Sequence, residues 1–295
     1  MEQQVAKLKK EYFSVNHRKR LLLAGLAAGV VLAILWSLHV GPAAVDLKTV
    51  WAVLWDLFEH NDALTNGQRV IVLRVRMPRI AASILVGVLL ANSGLLMQAI
   101  GRKARNSTRS LLLAGVAVSY LFSSLVSFIK YVVDVKKLPE LVFWQMGSVS
   151  DVTWPQIGLL LATAVIGFFV MTFYAWDLNV MATGEESAIS LGVNYKRVRR
   201  VAFFFSTLMT GVAVAFAGTI GFVGMVAPHA ARILVGNDYR YTVPTASLCG
   251  ALLLLVADAL SRMLVTAIAL PIGVITSMIG VPFFIWLIVQ KRQEV

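Results

Sequence analysis

Long stretches without a charged residue constrain this chain more than any other feature. Residues 201–231 hold no Asp, Glu, Lys or Arg, and shorter runs of the same kind recur along the sequence. Runs of about 18 or more apolar residues read as membrane spans. The chain is 58% hydrophobic, against roughly 45–50% in soluble domains, and its mean hydropathy is +0.77. A membrane β-barrel would show alternating segments of about ten residues, and none are evident. The fold class is therefore an all-α polytopic membrane protein, in one domain, with no linker or low-complexity segment.

Eight spans are expected, near 21–38, 80–100, 111–129, 157–176, 201–218, 219–234, 243–262 and 272–289. The first is read as a retained span, because no persuasive cleavage site follows it. Residues 201–234 as one helix would reach about 51 Å at 1.5 Å per residue, against a hydrocarbon core of about 30 Å. The chain must reverse, and "AGTIGFVG", with Gly218, Gly221 and Gly224, is the expected place. Pro271 marks the next reversal.

Alternating the loops across the membrane puts 18 Lys and Arg on the side of both termini and 9 on the other, with acidic residues near even. The positive-inside rule then makes both termini cytoplasmic, with residues 1–20 a basic cytoplasmic tail. The net charge of +12 follows from such loops and needs no nucleic-acid partner. Residues 45–60 and 139–147 are rich in aromatics and fit helices lying in the outer headgroup layer, or loops anchored by belt aromatics.

Against this trend, Arg74, Arg76 and Arg79 fall on the outer side, directly before the second span. An arginine at a span centre costs about 2.5–3.5 kcal/mol, so these three belong at a membrane face. Snorkelling to headgroups and capture of an external carboxylate both fit. Asp258 and Arg262 stand four apart near the outer end of their span and are placed to pair.

Much chemistry is missing. No phosphate-binding loop, H-E-x-x-H or G-x-S-x-G occurs. The histidines at 17, 39, 60 and 229 are scattered, and the single cysteine, Cys249, excludes an internal disulfide. No catalytic residue, metal ligand or cofactor is expected, and His229 reads as a packed or capping side chain. The mid-span carboxylate, histidine or lysine on which ion-coupled transporters depend is hardly represented.

Between the fourth and fifth spans lies "MATGEESAISLGV". Thr183 and Glu186 have capping-box spacing, Glu185 and Glu186 suit the positive end of a helix dipole, and Gly192 is placed to end the helix. Two turns over 184–191 are not stable alone in water. Ala188, Ile189 and Leu191 offer the apolar face, for the protein's own spans or for a cytoplasmic partner.

In order, "VRMPRIAASILVGVLLANSGLLMQ", "SLLLAGVAVSYLFSSL", "FWQMGS", "MATGEESAISLGV", "VAFAGTIGFVGMVAPHAAR" and "LLLLVADALSRM…LPIGVITSMIGVPFFIWLI" resemble the permease subunit of iron–siderophore, haem and vitamin B12 ABC importers. The resemblance covers most of the chain from residue 70 onward. It implies two permease copies, or one with a close paralogue, with ATP-binding subunits below and a substrate-binding protein outside, in a bacterial cell membrane. It further implies that Arg76, Arg79 and Arg262 receive acidic residues of the binding protein, and leaves Arg74 without a counterpart. The coupling segment 182–194 falls where the family meets its ATPase, which assigns that contact to Thr183, Gly184, Glu185, Glu186, Ala188, Ile189, Leu191 and Gly192.

The chain departs from the family at one place. Members usually have ten spans, and after "GLLMQ" continue into two spans for which this sequence has no counterpart. Losing an even number preserves the direction of every later span. The leading reading is the permease of an ATP-driven importer of an iron complex or similar chelate. An ion-coupled transporter or channel, and a scaffold of the same family that has lost transport, are the rivals.

Overall fold

The computed structural model describes residues 2–41, 49–53, 55, 66–101, 108–264 and 270–293. Every regular element among the described residues of 2–41 and 66–293 is helical: α1 (Glu2–His39), α2 (Asn66–Val70), a π-helical segment (Ile71–Arg76), α3 (Met77–Gly101), α4 (Thr108–Val132), α5 (Leu138–Gln145), α6 (Trp154–Phe173), α7 (Ala175–Met181), α8 (Glu185–Ser190), α9 (Tyr195–Ala217), α10 (Val223–Val235), α11 (Tyr239–Leu264) and α12 (Ile272–Gln293). Among the described residues six stretches are long and apolar enough to cross a membrane, and two shorter apolar helices, Val223–Val235 and Ile272–Trp286, bring the number to the eight expected.

Three boundaries differ from the expectation, each for a physical reason. The second span does not begin after Arg79: its apolar helix runs from Ile71, because Arg76 and Arg79 find partners inside the bundle. The fourth breaks at Tyr174, and Trp176 belongs to the separate helix α7. The sixth begins at Val223, after an irregular turn in which Gly218 and Phe222 both take positive φ. The thirteen residues of α10 reach only about 20 Å. Part of that depth is left to non-helical backbone, which membranes tolerate only where protein or a cavity surrounds it. Here Gly218 and Ile220 are buried, Ser148 N donates to Ala217 O at 2.8 Å, and Thr219 Oγ1 donates to Gln145 O at 2.5 Å.

α3 is the axis of the bundle. It packs against α6, α9, α10 and α11, with Ala82, Val86, Leu89 and Leu95 fully buried. Glycine sets how close its neighbours come: a Cβ on Gly87 would strike the Gly250 carbonyl of α11, and one on Gly94 the Gly224 carbonyl of α10. Small residues at such crossings let backbones touch, the main attractive device where no hydrophobic effect separates helix from lipid. Ser93 Oγ is 3.0 Å from Ser206 Oγ on α9, and Ser247 Oγ donates to Asn92 Oδ1 at 3.1 Å. Each such bond averages about 0.6 kcal/mol, so they fix register more than they add stability.

α4 behaves differently. None of its residues from Leu113 to Val132 is buried, although the stretch is apolar throughout its middle. α5 forms where 139–147 was expected to be helical, with Trp144 Nε1 donating to Ala215 O at 3.4 Å. Of the expected helix over 45–60, only 49–53 and 55 lie inside the described residues. There Val50 and Val53 join a core cluster with Val30, Ala33 and Leu38, while Trp51 and Trp55 stack outward with centroids 6.3 Å apart.

Candidate functional site

Two ends of α11 carry the features of interest. At its last turns, Asp258 is fully buried and paired twice. Arg79 Nε donates to Oδ1 at 2.6 Å, and Arg262 Nη2 lies 2.9 Å from Oδ2. Arg262 also caps the end of α1, donating from Nη1 to Ser37 O at 2.9 Å and Val40 O at 2.5 Å, and from Nη2 to Ser37 Oγ at 2.5 Å. Arg76 Nη1 donates to Leu38 O. The last carbonyls of a helix lack internal partners and sit at its negative end, which is why two guanidiniums settle on α1. The π-helical segment (Ile71–Arg76), with its wider turn, carries Arg76 inward and leaves Arg74 exposed.

The three arginines assigned to docking are thus gathered in one place, which the sequence could not show. They are also mostly enclosed: Arg76 is 4% exposed, Arg262 7%, and the Arg79 side chain 11%. Arg74, which the resemblance left aside, is the open one. Asp258 was expected to pair with Arg262; its second bond, to an arginine 179 positions away, left no signal in the sequence.

The other end of α11 begins at Tyr239, 25 residues before Leu264 and hence about 38 Å away. Asn179 of α7 holds this end, donating from Nδ2 to Asp238 Oδ1 at 2.8 Å and accepting from Tyr239 N at 2.9 Å. Lys19 of α1 sits over the Tyr241 ring at 4.8 Å. α8 follows α7 on this side. Its six residues are shorter than expected, and the capping box does not form. Gly184 is the N-cap, while Thr183 Oγ1 donates back to Val180 O at 2.8 Å, because the last turn of α7 ends just before it. Gly192, with φ of +79°, closes the helix as expected: its N–H donates to Ile189 O at 3.0 Å, and Val193 N donates to Ala188 O at 2.9 Å.

The question of what α8 packs on divides by residue. Ala188 and Val193 are buried against the protein itself. Ile189 and Leu191 are 60% and 59% exposed, and Glu185, Glu186 and Ser187 are open beside them. Beside the irregular turn, Thr219, Gly273, Ser277, Met278 and Pro282 line a groove of about 650 Å³ that opens along α12. Among the described residues no group of three or more His, Cys, Asp or Glu could hold a metal, and the His229 ring packs edge-on against Phe283, 5.8 Å between centroids.

Comparison with known proteins meets this geometry. The model of the FecCD transport family matches residues 29–104 and 100–290, so its match is in two pieces that meet at the end of α3. An ABC transporter permease protein of Methanocaldococcus jannaschii is 39% identical over 186 residues, 63% of this chain and 53% of that protein. The chain therefore matches about half the length of that relative. The iron(3+)-hydroxamate import permease FhuB of Bacillus subtilis is 31% identical over 328 positions, taking in 92% of this chain and 83% of the other. Those 328 positions exceed the 295 residues available, so FhuB has stretches without counterpart here. A solved structure of a metal-chelate type ABC transporter, in an inward-facing conformation, superposes with a TM-score of 0.77 at 28% identity, covering 92% of this chain and 99% of that one.

Proposed function

Because the chain belongs to the FecCD transport family, a family of multi-pass permeases that catalyse no bond chemistry, we propose that it is the membrane subunit of an ATP-driven importer of an iron(III)–siderophore or related metal chelate. One observation carries this reading: the uncovered apolar pair Ile189 and Leu191 stands at one end of α11, and the arginine cluster around Asp258 at the other. An importer of this kind needs an engine on one surface and a substrate donor on the opposite one. The charge count assigns the α8 end to the cytoplasm.

In this reading the ATP-binding subunit receives α8, with Thr183, Gly184, Glu185, Glu186 and Gly192 shaping the contact and Ile189 and Leu191 filling an apolar notch. The binding protein docks at the far end. Three guanidiniums face one carboxylate among the described residues there, and the surplus positive charge attracts acidic side chains, which arginine holds bidentately. A second permease copy, or a close paralogue, covers α4 and the exposed side of α12. The 650 Å³ groove beside Thr219 then lies where a path between two copies would run. Of the relatives named above, FhuB is an iron(3+)-hydroxamate import permease, and others that match are hemin and vitamin B12 permeases; the choice among such chelates rests with the binding protein.

The bare length of α4 favours a second reading, a family member that keeps its partner surfaces without conducting. Reconstitution with the co-purified ATPase and labelled iron chelates separates the two. ATP-dependent uptake supports the importer, ATPase binding without flux supports the scaffold, and flux driven by a proton or sodium gradient overturns both.

A further inference from the structure

We propose that the cleft between the end of α3 and the start of α9 is a binding site for an anionic phospholipid. The cleft encloses about 710 Å³. Met97 and Ile100 of α3 and Phe203 and Phe204 of α9 form its apolar wall, and Lys196, Arg199 and Arg200 stand above them. Positions 196, 199, 200, 203 and 207 share one face of α9. From Arg199 to Thr207 the face descends about 12 Å, from the level of the basic first turns into the apolar part of a span.

That arrangement matches one kind of molecule. Among the described residues no carboxylate pairs with Lys196, Arg199 or Arg200; Arg200 Nε donates to Lys196 O at 3.4 Å. Cations at headgroup height attract anionic lipid, at about 1 kcal/mol each, and the wall beneath takes an acyl chain. A soluble acidic peptide would satisfy the cations and leave the wall unmet. The sequence that follows α3 brings Arg102, Lys103 and Arg105 with no acidic residue before Thr108, and so adds no counter-charge. The cleft also lies where the family match breaks, at residues 100–104. The lipid thus takes up room beside the join of the two matched pieces.

The test is native mass spectrometry of the purified full chain in detergent with equal amounts of phosphatidylglycerol and phosphatidylcholine of the same acyl chains. Two engaged cations give on the order of thirtyfold preference for phosphatidylglycerol. The variant K196Q/R199Q/R200Q loses the preference, and K136Q/K137Q, which removes charge elsewhere, keeps it. In the wild type, the preference falls as salt rises from about 50 to about 500 mM, a readout that needs no variant to fold. Equal retention of the two lipids, a preference indifferent to salt, its survival in the triple variant, or its equal loss in the control would overturn the site. So would full displacement by soluble glycerol phosphate, since the apolar wall would then contribute nothing.

Discussion

Arg79 Nε lies 2.6 Å from Asp258 Oδ1 and so ties α3 to α11 across 179 positions of sequence. The same carboxylate holds Arg262, which in turn holds the end of α1. Three helices therefore meet through one buried anion.

Asp258→Asn should be strongly destabilising, because it leaves two enclosed guanidiniums without their counter-charge. Removing one partner of a buried pair costs about 3–5 kcal/mol. Denaturation of the purified protein in detergent measures it; an unchanged midpoint would show that the arginines are compensated elsewhere.

The crossing of α3 and α10 makes a sharper prediction. Gly94→Ala forces a methyl group into the Gly224 carbonyl, and backbone cannot rotate away as a side chain can. Overpacking costs typically about 1–3 kcal/mol, and the upper end is expected here. Gly115→Ala on α4, where nothing stands within 4 Å, is the control and should raise helix stability slightly.

For the coupling surface, Ile189→Asp with Leu191→Asp should abolish co-purification of the ATP-binding subunit with little loss of stability, since both side chains already face out. Ala188→Asp, in the buried position, should lower stability first. Retained ATPase capture by the double variant would remove α8 from the interface.

Docking at the other end is tested by Arg76→Gln with Arg79→Gln. Capture of the binding protein should weaken and become less sensitive to salt, while ATPase co-purification persists and reports that the fold survives. Arg74→Gln should change capture little. Undiminished capture by the double variant would dispose of the docking role.

Sidedness has its own measurement. In a Cys249→Ser background, thiol labelling of Arg74→Cys should proceed from outside the cell alone, and of Ser187→Cys from the cytoplasm alone. Labelling of both from one compartment would break the assignment of engine and donor surfaces.

The number and order of the spans were legible because the bilayer sets length and hydropathy, which each segment carries by itself. The i, i+4 pair of Asp258 and Arg262 was legible for the same local reason. The Arg79 contact was not, because it depends on which helices adjoin, and for the same reason the start of the second span at Ile71 is hidden in the sequence. Gly224 shows the same limit: in sequence it reads as part of a turn, and in the fold it is a crossing point against Gly94. At α8 the apolar residues are legible but not their division, since Ala188 turns inward and Ile189 outward on the strength of one helical step.

The uncovered circumference of α4 ties this polypeptide's lifetime to its company. An apolar helix of which no described side chain is buried by its own polypeptide is left for another chain to cover, on the function proposed above. Copies made in excess of their mates should be the ones that membrane proteases clear, and cellular abundance should track the scarcest member of the assembly rather than this chain's own rate of synthesis.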